Sequence, residues 1–170
     1  FFLFTSYRAL EYCAPALRAR LPYPVLVQGE QPRALLLEEF KRLGNAVLFG
    51  TSTFWEGVDV RGEALSLVII DKLPFAPPDD PIAKARADRL AAEGRNAFQE
   101  LQLPAAVIAL KQGAGRLIRD PADRGVLVIC DPRLRTKSYG RVFLRSLPPM
   151  PQTAARADVE AFFAADSPQP

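Results

Sequence analysis

The sequence predicts an α/β fold, a parallel β-sheet sandwiched between helices. Two observations carry that expectation. Five short apolar runs are apolar on successive positions, not alternate ones, and stretches with helical spacing separate them. A strand covered on both faces must be apolar on both, so continuous hydrophobicity points to a sheet with helices on either side.

The first run is FFLFT, residues 1 to 5, and Ser6 behind it is placed to cap a helix over 7 to 20. VLVQ at 25 to 28 is the second strand, and RALLLEEFKRLGN carries a helix that stops at Gly44. AVLFG at 46 to 50 and LSLVIID at 65 to 71 are the third and fourth strands. Asp80-Pro81 reads as a helix start, with proline at the first helical position, and the pattern runs to about Leu101. Pro104 opens a further helix that carries LKQGAGRLIRD, residues 110 to 120, ahead of the fifth strand, VLVIC at 126 to 130. YGRVFLRSLP has Tyr139, Val142, Phe143 and Leu147 at near-helical spacing and is read as a helix, not a sixth strand. A last amphipathic helix is expected over Ala155 to Ala164. Residues 1 to 150 are expected to form one domain and 151 to 170 a Pro-rich tail with that helix.

The chain has 170 residues, enough for one buried core. Its 22 basic and 19 acidic residues give a net charge of +3, which is compatible with a polyanionic partner without requiring one. The absence of histidine excludes His-based acid/base chemistry and His-ligated metal sites. Cys13 and Cys130, far apart and without CxxC spacing, are expected to be buried thiols in a reducing, cytoplasmic compartment. No apolar run reaches bilayer length, so a soluble protein with no membrane partner is expected. FFLFTSY has no basic flank or small-residue cleavage pattern and reads as a strand of a longer protein, not a signal peptide.

In a parallel sheet, ligands collect where loops leave the carboxyl ends of the strands, so the residues that follow the apolar runs are the candidates. TSTFWEGVDVRGE, residues 51 to 63, holds the aromatic pair Phe54 and Trp55. In it Gly57 would let backbone approach a ligand, and Asp59 could accept from a hydroxyl or fix an arginine. A capped surface loop around a buried Trp is the plainer reading. DKLPFAPPDDP, residues 71 to 81, offers Lys72 to a phosphate and the faces of Phe75, Pro77 and Pro78 to a base. A proline-stiffened connector is again the alternative.

Arg116 and Arg119, three apart, share a helix face and would repel unless an anion lay across them. Two planar guanidiniums so placed match a terminal phosphate, with Gln112 one turn earlier as a neutral hydrogen-bonding group. Pairing with Asp120 and Asp123 on a solvated helix is the rival. Such surface pairs contribute ~0 to 1 kcal/mol and leave Gly113 and Gly115 unexplained.

QGAGRLIR resembles motif VI of superfamily 2 helicases, TSTFWEGVD resembles their motif V, and FLFTSY resembles motif IV, with VLVQGE like the short segment that follows it. SFWEGVD-like and KLPF-like wording followed by PPDDP is similar to the DinG/YoaA group of bacterial helicases related to XPD. The match runs in order from residue 1 to about 150. The resemblance implies a second RecA-like motor domain of an ATP-dependent DNA helicase in repair or replication, lacking its own phosphate-binding loop. It implies ATP and Mg²⁺ in a cleft shared with an N-terminal helicase domain, which would also carry the iron-sulfur cluster. This sequence has no GxxxxGK[ST] and no DEAH-like acid pair, and two cysteines cannot hold a four-cysteine cluster.

By the same resemblance Arg119 is the finger on the γ-phosphate, Arg116 its support and Gln112 a residue at the cleft. Gly57 and Asp59, with Glu56 beside them, face nucleotide. Thr51 touches the nucleic-acid backbone, Thr5 and Ser6, with Tyr7, are the motif IV contacts, and Trp55 and Lys72 complete the single-stranded DNA track. The group's link to a clamp-loader accessory subunit makes the C-terminal tail, with Val159, Phe162 and Phe163 on one helical side, a candidate docking element. The alternatives are a stand-alone single-strand-binding module using Phe54, Trp55, Phe75 and Lys72, or a protein-docking domain without ATPase activity.

Overall fold

The computed structural model describes residues 1–51, 65–77, 80–115, 117 and 123–166. Among them five strands form a single sheet: β1 Phe2–Leu3, β2 Val25–Val27, β3 Val47–Gly50, β4 Leu67–Ile70 and β5 Val126–Ile129. The order is β2-β3-β1-β4-β5 and every pairing is parallel, as continuous hydrophobicity requires. The register sets Phe2 between Phe49 and Ile69, and Leu3 between Gly50 and Ile70.

The helices are α1 Tyr7–Arg18, α2 Arg33–Leu43, α3 Pro81–Ala92, α4 Leu103–Ala114, α5 Arg133–Thr136, α6 Gly140–Ser146 and α7 Arg156–Asp166. Ser6 caps α1 by accepting from the Ala9 N–H at 3.2 Å. Gly44 ends α2 in the left-handed conformation. Asp80 caps α3 through the Ile82 and Ala83 N–H groups.

Side chains along each strand alternate between two cores. Leu3, Leu26, Leu48, Val68 and Ile70 face α2, α4 and α6, where Leu36, Phe40, Leu110 and Phe143 meet them. Phe4, Val27 and Phe49 face α1 and pack on Leu10 and Ala14. Full burial of one such Leu, Val, Ile or Phe stabilises by about 1.5 to 3 kcal/mol, so the two cores account for why the sheet is held from both sides.

Three expectations are corrected. The helix opened by Pro81 ends at Ala92, not near Leu101: Gly94 turns the chain at φ 71, and a π-helical turn, Phe98–Gln102, then runs directly into α4. Cys13 is half-buried and Cys130 is exposed, because β5 is an edge strand that stops at Ile129, one residue short of the thiol. The short helix α5 precedes α6 and is not among the helices that the sequence pattern predicts. In the tail α7 is helical, with Val159, Phe162 and Phe163 half-buried. The Arg124 guanidinium lies 5.2 Å from the centre of the Phe162 ring, which ties α7 to the approach to β5.

Candidate functional site

Because all five strands are parallel, the residues after each one emerge at the same edge. Thr5, Ser6 and Tyr7 follow β1, Gln28 follows β2, Thr51 follows β3, Asp71 and Lys72 follow β4, and Asp131 follows β5. Hydrogen bonds join these ends into three polar groups.

In the first, the Thr5 N–H donates to Asp71 Oδ1 at 2.8 Å and the Thr5 hydroxyl to Asp71 Oδ2 at 3.4 Å. In the second, Gln28 bridges two elements. Its Oε1 accepts from the Thr51 N–H at 2.6 Å and from the Thr51 hydroxyl at 3.1 Å, and its Nε2 donates to the Tyr7 hydroxyl oxygen. Thr51 is only 3 % exposed, whereas Tyr7 is 51 % exposed. The surface at this point is therefore made by Tyr7, and Thr51 lies beneath. Lys72 is exposed beside Asp71.

The third group centres on Asp131. Its carboxylate accepts from the Leu73 N–H at 2.8 Å, from the Arg133 N–H at 2.9 Å and from the Arg133 guanidinium at 2.6 Å. Burial by itself would raise this carboxyl's pKa, but the hydrogen bonds from Arg133 and from the Leu73 and Arg133 N–H groups outweigh it and hold the carboxyl below its ordinary value. Arg133 in turn lies 5.3 Å from the centre of the Phe75 ring. Phe75 packs against Phe98, Tyr139 and Phe143 at centroid distances of 5.8, 5.8 and 5.7 Å. Its ring is thus a packing element of the loop after β4.

Gln112 is exposed in the last turn of α4, next to buried Gly113 and Ala114. Leu117 is 5 % exposed. A Cβ placed on Gly125 would stand 2.5 Å from Leu117 Cδ1 and 2.9 Å from the Ser66 carbonyl oxygen, so Leu117 seals the amino ends of β4 and β5. The end of the motif VI segment is thus anchored at the edge opposite Thr5, Gln28 and Thr51. Arg116 and Arg119 lie outside the described residues, as do Phe54, Trp55, Glu56, Gly57, Asp59, Pro78 and Asp120.

Sequence reasoning assigned no role to Gln28, Asp71, Asp131 or Arg133. The signal available for the first three was a polar side chain at the end of a parallel strand, the position at which ligands and loop anchors both gather. Among the described residues no group of three or more His, Cys, Asp and Glu side chains converges as a metal site. No helix of the described residues is long and apolar enough to cross a membrane.

The helicase C-terminal domain family matches residues 1–150. The ATP-dependent DNA helicase YoaA of Escherichia coli (strain K12) is 56 % identical over 167 residues, covering 98 % of this chain and 26 % of that protein. The ATP-dependent helicase DinG of Mycobacterium tuberculosis (strain CDC 1551 / Oshkosh) is 45 % identical over 159 residues, covering 94 % of this chain and 24 % of that protein. The chain thus spans about a quarter of the length of these relatives. Among solved structures, an XPD helicase superposes with a TM-score of 0.65 at 22 % identity, over 88 % of this chain and 28 % of that one, a likeness of fold. With its parallel sheet, its two cores and its ordered motifs, the chain belongs to the helicase C-terminal domain family and is a RecA-like domain of the XPD-like DinG/YoaA type.

Proposed function

We infer that the chain works as the second motor domain of an ATP-dependent DNA helicase acting on single-stranded DNA in repair or replication. The observation that carries this reading is the polar carboxyl edge, where Thr5 bonds Asp71 and Gln28 joins Tyr7 to Thr51, in a chain of this family. That edge is the nucleic-acid side. Thr5, Ser6, Tyr7 and Lys72 follow strands there and contact the strand of DNA with Trp55, and Thr51 supports the edge through Gln28.

The motif VI segment serves the nucleotide. Arg119 is the finger on the γ-phosphate, Arg116 supports it, and Gln112 stands at the cleft. Gly57, Asp59 and Glu56 couple nucleotide to DNA. ATP and Mg²⁺ are held mainly by an N-terminal helicase domain, the part that would also carry an iron-sulfur cluster. A guanidinium delivered across a cleft stabilises charge developing on the transferred phosphoryl group and is worth ~10³ to 10⁵ in rate. Domain closure on ATP and release on hydrolysis then move the two domains' backbone contacts along the strand. A clamp-loader accessory subunit is a proposed partner of the tail that carries α7.

The test is Arg119→Ala in the complete helicase polypeptide. ATP hydrolysis is expected to fall by at least ~10³ while affinity for an oligothymidylate stays within about two-fold. Parallel loss of DNA affinity would make Arg119 a backbone contact and refute the finger assignment.

A further inference from the structure

The Gln28 amide has a determinate orientation that fixes the role of its neighbour. A backbone N–H can only donate, so the atom 2.6 Å from the Thr51 nitrogen must be the amide oxygen. The Thr51 hydroxyl also reaches that oxygen at 3.1 Å, which leaves the amide nitrogen facing Tyr7. An amide NH₂ can only donate, so the Tyr7 oxygen accepts there and its own proton must point elsewhere. Tyr7 is 51 % exposed, and among the described residues its hydroxyl donates to none. The proton is therefore directed outward, at the N-terminal turn of α1, an end of the helix that favours an anion.

We propose that Gln28 is a positioning residue for DNA binding: it turns the Tyr7 hydroxyl into an outward donor for a phosphodiester oxygen, and holds Thr51 in register behind it. A phosphodiester oxygen only accepts hydrogen bonds, so a hydroxyl with its acceptor side already engaged is matched to it and mismatched to a donor ligand. Accepting from the amide also polarises the O–H and strengthens its donation. The bridge ties β2, the start of α1 and the end of β3 together, so a phosphate held by Tyr7 is linked mechanically to the residue that opens the motif V loop. This proposal rests on the nucleic-acid reading of the carboxyl edge.

The experiment is a double-mutant cycle of Tyr7→Phe and Gln28→Ala in the complete helicase polypeptide, read by the anisotropy of a labelled oligothymidylate. Each single change is expected to weaken DNA affinity about three- to ten-fold, as loss of one hydrogen bond would. The double variant is expected to be no weaker than the poorer single one. Hydrogen exchange of the Thr51 amide is expected to speed up in Gln28→Ala and to stay unchanged in Tyr7→Phe. Additive effects in the cycle, or unchanged affinity in Gln28→Ala despite a faster Thr51 amide, would overturn the proposal. Failure of the unsubstituted protein to bind the oligothymidylate would remove the nucleic-acid reading itself and the proposal with it.

Discussion

Asp131 is the residue on which the loops after β4 and β5 depend. Its side chain is 2 % exposed, and its carboxylate accepts from the Leu73 N–H as well as from Arg133. Asp131→Ala strands the Leu73 N–H and frees Arg133, a loss expected at about 2 to 3 kcal/mol in urea unfolding. The acid limb of stability follows from the same contacts. The folded carboxyl titrates below the 3.8 of an ordinary aspartate, so the unfolded state binds the proton first as pH falls. The contribution is complete above about pH 4 and is lost as pH falls through the folded value. Asp131→Asn is expected to flatten that limb in a series of unfolding midpoints taken against pH. None of this was legible in CDPRLR, where Asp131 looks like any turn residue, because its partner Leu73 is 58 positions away.

At the scale of elements, starts and stops decided by local chemistry were readable. Ser6 before α1, Asp80-Pro81 before α3 and Gly44 after α2 each act within one turn of their own position. The break after Ala92 was readable in principle from Gly94, but the periodic alanines on either side of it masked the stop. Gly94 sits at φ 71, and a Cβ added there would have nothing within 4 Å, so Gly94→Ala meets no clash and carries only the conformational penalty. That penalty is expected at about 1 kcal/mol in thermal or urea unfolding, with no change in DNA affinity. The π-helical turn that follows has no sequence signal of its own. It is set by the need to bring Phe98 against Phe75 and Tyr139 while α4 keeps Leu110 in the core.

For the whole molecule, the carboxyl edge of the sheet gathers Tyr7, Gln28 and Thr51, and Leu117 packs at its amino edge. The proposed motor reading requires a partner domain for the nucleotide. The 170-residue chain has no GxxxxGK[ST] and is expected to hydrolyse ATP no faster than background in a clean preparation, with or without DNA. Measurable turnover that survives substitution of Arg119 would contradict the split site. The sequence by itself determined the α/β class, the five strands and the family motifs, because apolar runs, helix caps and motif spacing act over a few neighbouring residues. Only the tertiary structure decided the strand order, and with it which polar groups meet: Thr5 finds Asp71 across 66 positions and Thr51 finds Gln28 across 23. Hydrogen bonds of that span depend on which strands lie side by side, and several orders would bury the same apolar residues.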